Sequence, residues 1–152
     1  MKPMPPAQTQ ISLRAVDASN WRDCAELFIH DDQRVFVAPV TYYLVLCHYS
    51  DSWRPLAVYS KERAVGFMMW AVDPADNSGW LGGVQIAADR QGQGLGRAAV
   101  GAALDHLRDQ GCASAALSYS PANIRAKRLY ESLGFRETGE MEDDEIVARR
   151  PL

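Results

Sequence analysis

The segment Gln91-Gly92-Gln93-Gly94-Leu95-Gly96 has the residue types and the spacing of an anion-binding loop. The apolar run 80–86 before it predicts a β-strand, and residues 100–107 after it carry apolar side chains at the spacing of an amphipathic helix. Glycines let successive backbone N–H groups turn toward one ligand, and the first turn of a helix adds unpaired N–H groups. The segment predicts a phosphate or pyrophosphate site, although a glycine-rich turn without a ligand has the same spacing.

Two familiar phosphate loops do not fit this segment. A Walker loop ends in Gly-Lys-Ser/Thr, whereas Gly96 is followed by Arg97-Ala98-Ala99. A dinucleotide-binding loop requires an acidic residue at the end of the next strand, and the next apolar run, 113–119, ends without one. Neither nucleotide-binding architecture is therefore expected.

Composition predicts one soluble globular domain, 1–152, whose first residues, 1–10, form a flexible leader. The hydrophobic fraction of 47% and the charged fraction of 23% are ordinary for a globular protein and argue against a disordered or membrane chain. The formal net charge of −3 argues against a nucleic-acid surface and favours a cationic partner. A homodimer is compatible with the sequence.

The reactive side chains outside the loop do not suggest a metal site. Cys24, Cys47 and Cys112 are widely separated, and the three histidines are scattered along the chain. Buried free thiols in a reducing compartment are the preferred interpretation. With no apolar leader segment and no membrane-length run, the expected location is cytoplasmic.

Hydrophobic periodicity predicts alternating strands and helices. Strands are expected at 11–15, 56–60, 64–72, 80–86, 113–119, 135–140 and 145–149, and helices at 21–28, 40–49 and after each of Gly96 and Asn123. Asp17 or Ser19 is expected to cap the first helix, and Gly111 and Gly134 to end the last two. Segment 40–49 also has strand-like composition, but Pro39 before it favours a helix. The pattern predicts an α/β sandwich with a mixed sheet.

Two segments together resemble the GCN5-related N-acetyltransferases. Segment 84–96 is similar to that family's acetyl-CoA loop, Gln/Arg-x-x-Gly-x-Gly/Ala after an apolar strand. Segment 123–135, from Asn123 through Tyr130 to Gly134-Phe135, is similar to its second signature. The resemblance covers nearly the whole chain. It is nearest to small bacterial diamine or spermidine/spermine acetyltransferases, which share stretches like Phe36-Val37-Ala38-Pro39 and Trp53-Arg54-Pro55-Leu56-Ala57.

The resemblance implies a fold and a co-substrate. The fold would be a mixed, mostly antiparallel twisted sheet of six to seven strands flanked by about four helices. The co-substrate would be acetyl-CoA, with no metal. Its pantetheine arm would pair with the backbone of the preceding strand and with Asn123, which is also a candidate helix N-cap. Its pyrophosphate would lie on the loop. The implied cofactor-binding residues are Val84, Gln85, Ile86, Gln91, Gly92, Gln93, Gly94, Leu95, Gly96, Arg97 and Asn123.

Tyr130 is the candidate general acid. A phenol with a pKa near ~10 can protonate a leaving thiolate. The apolar stripe of Ala126, Leu129, Tyr130 and Leu133 would also suit a plain core aromatic, but the position seven residues after Asn123 matches the family signature. We therefore predict the catalytic role.

The residue that deprotonates the amine is not evident. Many relatives have a glutamate on the strand before the loop, and that position is Gly82 here, next to Gly83. The paired glycines predict a β-bulge. The resemblance places other acidic residues at the mouth of the acceptor site, where they would attract a polyamine. The candidate substrate-binding residues are Asp31, Asp32, Glu142, Asp143 and Asp144.

These inferences predict an acetyltransferase that moves an acetyl group to a primary amine of a small cationic substrate, a diamine or polyamine in the first place. An amine antibiotic or a protein amino group is the alternative acceptor. A third hypothesis, a non-catalytic acetyl-CoA-binding module, would explain the missing base but not the presence of Tyr130.

Overall fold

The computed structural model describes residues 10–152. Within this part of the chain, none of the helices is long and apolar enough to cross a membrane. The predicted leader, 1–10, lies outside the described residues except for Gln10.

Seven strands form one sheet in the order β1-β2-β3-β4-β5-β7-β6. Neighbouring strands are antiparallel except β4 and β5, which are parallel. The predicted mixed, mostly antiparallel sheet is confirmed. The strands are β1 (Ser12–Ala15), β2 (Arg54–Ser60), β3 (Arg63–Asp73), β4 (Ser78–Ile86), β5 (Ser114–Tyr119), β6 (Arg136–Glu142) and β7 (Glu145–Pro151).

The helices cover both faces of the sheet. Within residues 10–152 they are α1 (Trp21–Ala25), α2 (Val40–Tyr49), α3 (Leu95–Asp109) and α4 (Ile124–Ser132), with short 3-10 turns at Asp31–Gln33 and Ala88–Arg90. Strand β2 shows the two-sided packing, because Leu56 and Val58 join the core under α3 while Ala57 and Tyr59 join the core under α1 and α2. The apolar stripe predicted after the glycine loop lies buried on α3.

Most local predictions are confirmed, but the predicted capping residue and the predicted end of α1 are wrong. Segment 40–49 is the helix α2 with Pro39 at its N-cap, and Gly111 and Gly134 follow α3 and α4 with φ of +82° and +89°. Helix α1 is shorter than predicted and is capped at Asn20, not at Asp17 or Ser19. The reason is local competition, because the Asp17 carboxylate accepts hydrogen bonds from the backbone and hydroxyl of Ser19.

Strands β4 and β5 pair over a very short stretch. Only Ser78, Gly79 and Trp80 of β4 have partners on β5, and residues 81–86 have none on that side. The two strands therefore leave a gap in the middle of the sheet. At the paired end, Gly79 lies against the buried side chain of Leu107 from α3, and a Cβ built on Gly79 would be 2.6 Å from Leu107 Cδ2.

We expect Gly79→Ala to destabilise the fold by about 1–3 kcal/mol, because the added methyl overpacks against Leu107 and Cys112. Gly101→Ala is the matched control. Nothing lies within 4 Å of a Cβ at this helical position, so the same change should stabilise by about 0.5–1 kcal/mol. Urea unfolding followed by circular dichroism measures both, and equal midpoints for Gly79→Ala and the wild type would contradict the packing argument.

Candidate active site

A cavity of about 960 Å³ opens at the gap between β4 and β5. The part of β4 that lacks a partner on β5 forms one side, and the end of β5 and the start of α4 form the other. The predicted residues that line it are Asp32, Val84, Gln85, Ile86, Gln91, Gly92, Gly94, Leu95, Gly96, Arg97, Asn123, Tyr130, Glu142 and Asp143. Asp31, Gln93 and Asp144 are not among the lining residues. The gap thus brings together most of the side chains selected from the sequence.

The glycine loop has the geometry of an anion cradle. Gly92 and Gly94 have φ of +76° and +80°, and α3 begins directly after Gly94. At this end of the helix, the Ala98 N–H donates a hydrogen bond to Gly94 O at 3.1 Å. Within residues 10–152, no acceptor is recorded for the amides of residues 92–97. These donors and the positive end of the helix, about half a unit charge, are available to a phosphate or pyrophosphate.

The Gln91 side chain holds this loop in place. Its Nε2 donates to Ile86 O and to Gln33 Oε1, both at 2.8 Å, and its Oε1 accepts from Gln33 Nε2 at 2.9 Å. The amide is therefore committed to the protein, and the conformation of the loop depends on it. Gln33 was missed by the sequence reasoning, because nothing local marks a partner 58 residues away.

Arg97 also binds protein atoms through its side chain. Its guanidinium donates to the Ser132 hydroxyl at 2.6 Å and to the Ser132 carbonyl at 3.4 Å. This links the first turn of α3 to the last turn of α4. The backbone amide of Arg97 is therefore the group that is available for the predicted contact with a phosphate.

The strand β4 carries the bulge that Gly82-Gly83 predicted. Phe67 pairs with Gln85 and Met69 with Gly82, so two residues of β4 lie opposite one of β3. Gly83 has φ of +61°, which favours glycine. The β5-facing edge of residues 81–86 lacks a strand partner, and such an edge can bind an extended arm by backbone hydrogen bonds.

At Gly82, the space for a side chain is already filled. A Cβ there would be 2.9 Å from Met69 Cε and 3.3 Å from the ring of Trp53. A glutamate at this position would displace one of these side chains.

Asn123 is the N-cap of α4. Its Oδ1 accepts from Ala126 N–H at 3.2 Å, whereas no acceptor is recorded for its Nδ2 in the described part of the chain. Because the residue also lines the cavity, capping the helix and donating to a ligand are compatible.

Tyr130 lines the cavity and is only 8% exposed. Its ring contacts Tyr119 and Phe135, with ring centroids 5.8 and 5.9 Å apart. Its hydroxyl has no recorded hydrogen-bond partner within residues 10–152. Burial, followed by the charge of Glu145 and by Tyr119, raises the pKa of Tyr130 to about 12. The phenol therefore stays protonated at neutral pH and can donate to a ligand atom.

Glu145, the last residue of the acidic turn 142–145, is a further lining carboxylate. Its Oε1 accepts from the Ser118 hydroxyl at 3.0 Å, and its charge contributes to the raised pKa of both Tyr43 and Tyr130. The other acidic lining residues are Asp32, Glu142 and Asp143. No group of three His, Cys, Asp or Glu side chains suited to a metal was found in residues 10–152.

Comparison with known proteins identifies the family of this fold. The model of the Acetyltransferase (GNAT) family matches residues 17–135. The spermine/spermidine N(1)-acetyltransferase of Bacillus subtilis (strain 168) is 30% identical over 142 residues, which cover 87% of this chain and 91% of that protein.

Solved structures agree on the fold. The spermidine N-acetyltransferase of Vibrio cholerae, in complex with CoA and spermine, has a TM-score of 0.73 at 20% identity, covering 92% of this chain and 93% of that one. An aminoglycoside acetyltransferase in complex with coenzyme A has a TM-score of 0.78 at 20% identity, covering 93% and 95%. At these identities the structures establish the sheet and helix arrangement, not the acceptor.

We expect Gly94→Asp to abolish binding of coenzyme A, because the new carboxylate would point a negative charge at the amides that receive the pyrophosphate. Aspartate tolerates a positive φ better than most residues, so the loop should remain folded. Gly101→Asp introduces the same charge on α3 at a position that does not line the cavity. Titration calorimetry should show binding lost only in the first variant, and unchanged affinity in a folded Gly94→Asp protein would exclude this loop as the site.

Proposed function

The chain belongs to the GNAT family of acetyltransferases, and we propose that its acceptor is a primary amine of a diamine or polyamine. Family membership makes it an enzyme that moves an acetyl group from acetyl-CoA to an acceptor amine. The polyamine acetyltransferases among its relatives support the proposed acceptor. The charge pattern of the cavity is the observation that carries the proposal.

The cavity is lined by both cations and carboxylates. Its lining cations are Arg90 in the 3-10 turn before the glycine loop, and Arg97 and Arg125 in the first turns of α3 and α4. Its lining carboxylates come from the 3-10 turn before α2 and from the β6–β7 turn, and none of them has an ion-pair partner within residues 10–152. The cations suit the phosphates of a nucleotide. The carboxylates would favour a second, distal ammonium group on the acceptor.

The wall near these carboxylates is aromatic. Tyr42, Tyr43 and Trp53 line the cavity on the α2 side of the sheet. Aromatic faces attract an ammonium group and also pack against methylene groups. A chain of methylenes with an ammonium at each end combines the features that this wall and the carboxylates would bind.

Tyr130 is proposed as the general acid of the transfer. When the amine displaces the thiol, the sulfur needs a proton, and a phenol hydroxyl with no protein acceptor is free to supply it. Because the pKa of Tyr130 is raised to about 12, the donor form is fully present below about pH 11. Ionisation of Tyr130 should therefore cause no loss of activity between pH 7 and 10.

We expect Tyr130→Phe to lower kcat by ~10²-fold or more, with little change in KM for acetyl-CoA. Thermal stability should hold, since the lost hydroxyl has no recorded partner among the described residues. Tyr119→Phe is the matched control, because that hydroxyl is bonded to Glu137 at 3.0 Å. Tyr119→Phe should lower the thermal stability and leave kcat largely unchanged. A Tyr130→Phe enzyme with wild-type kcat would make Tyr130 a core residue only.

The acceptor is tested by thiol release from acetyl-CoA with a panel of diamines, matched monoamines, aminoglycosides and peptide amino groups. The double variant Glu142→Gln/Asp143→Asn should raise KM for a diamine more than for a monoamine of equal length. Its effect should shrink with added salt, because exposed charges are screened over ~8–10 Å. Asp51→Asn/Asp109→Asn removes equal charge from exposed positions outside the cavity and controls for net charge.

Equal effects of the double variant on diamine and monoamine would contradict the polyamine proposal. Turnover of an aminoglycoside or a peptide amine in place of diamines would assign the alternative acceptor. Binding of acetyl-CoA without turnover of any amine would indicate a non-catalytic module.

A further inference from the structure

We propose that Glu145, oriented by Ser118, takes the proton from the acceptor's ammonium group during acetyl transfer. This rests on the proposed function, since it assumes an amine acceptor in the same cavity. The inference combines a β4 position without a side chain, a carboxylate that lines the cavity and a carboxylate oxygen with no partner within residues 10–152.

The β4 position from which many relatives supply a base is Gly82 here, and it carries no side chain. Met69 Cε and the Trp53 ring fill the space next to Gly82. An alkyl ammonium with a pKa near ~10.4 is almost entirely charged at neutral pH, so an acceptor for its proton is still needed. That acceptor has to come from another element that faces the cavity.

Glu145 meets the geometric requirement. It is the first residue of β7 and lines the cavity. Ser118, which fixes Oε1, lies beyond the last β4–β5 pair, Trp80 with Ala116, and therefore at the open part of the gap. No partner is recorded for Oε2 within residues 10–152. One oxygen is thus held by the protein and the other is left for a ligand.

Glu145 lines the same cavity as Tyr43 of the acceptor wall and Tyr130. Its charge acts on Tyr43 of α2 and on Tyr130 of α4. Glu142 and Asp143, from the turn that leads into β7, are the other acidic groups on this side of the cavity. No cation forms an ion pair with Glu145 in the described chain. A substrate ammonium would supply the missing positive charge.

The proposed proton transfers balance over one turnover. Glu145 takes one proton from the ammonium, and the nitrogen lone pair forms the bond to the thioester carbonyl carbon. The carbon–sulfur bond breaks, and the sulfur takes its proton from the Tyr130 hydroxyl. The second nitrogen proton returns through solvent to Tyr130, and Glu145 releases its proton to water. The net products are the amide, the thiol and one proton.

Glu145→Gln tests the inference with the best amine from the panel. We expect kcat at pH 7 to fall by ~10²-fold or more, with KM for acetyl-CoA unchanged. The activity of the variant should then rise about tenfold per pH unit toward pH 10, as free amine replaces ammonium, while the wild-type profile stays flatter. Glu145→Asp should restore part of the rate, and Ser118→Ala should lower it less than Glu145→Gln does.

Glu131→Gln is the matched control. It neutralises an exposed carboxylate next to Tyr130 in sequence that does not line the cavity, so its profile should match the wild type. Thermal melts and coenzyme A affinity verify that each variant is folded. If Glu145→Gln does not fold, the profile of Glu145→Asp decides, because a base displaced by one methylene should still lower kcat.

Two results would overturn the inference while leaving the proposed function intact. One is an active wild type whose Glu145→Gln variant keeps its kcat and pH profile. The other is a variant in which only KM for the amine rises, which would make Glu145 an anchor. A wild type that acetylates no amine overturns the proposed function, and this inference with it.

Discussion

The short parallel contact between β4 and β5 is the constraint on which the rest of the structure depends. Three residue pairs join the two halves of the sheet. Beyond them, the backbone groups of β4 and β5 are not paired with each other. Buried backbone groups without partners are costly, so the open edge is tolerable only where solvent or a ligand reaches it. The gap therefore provides a cavity and an unpaired strand edge at once. Gly79 allows the close packing at the paired end, because a side chain there would overpack against Leu107.

The glycine loop and the helix ends that line the gap are held in place by hydrogen bonds between protein side chains. Gln91 and Gln33 tie the glycine loop to the end of β4 and to the turn before α2. Arg97 ties α3 to α4 through Ser132. With the protein's own side chains bonded to each other, the loop amides stay free and pre-oriented. Such pre-organisation reduces the ordering cost that a flexible ligand would otherwise meet.

The sequence predicted most of the fold because its signals are local. Glycine spacing, the apolar stripe of α3 and the turn residues Gly111 and Gly134 each act within a few residues of where they stand. The predictions failed where two local hydrogen bonds compete or where the deciding contact is distant in the sequence. Asp17 bonded Ser19 instead of capping α1, which local pattern leaves undecided. The side chain of Gln33 bonds that of Gln91, 58 residues away in the sequence, and hydrophobic periodicity cannot reveal such a contact.

The packing around Gly82 and the role proposed for Glu145 are related. Trp53 and Met69 occupy the side of β4 where a carboxylate would stand, and they add apolar surface to the acceptor wall. A charge in their midst would be poorly solvated. Across the gap, β7 begins next to solvent and next to the Ser118 hydroxyl, so a carboxylate there keeps a hydrogen bond and access to water. With the proton acceptor on β7 instead of β4, the apolar side chains at β4 would contact the methylenes of the acceptor. The carboxylate on β7 would interact with its ammonium group.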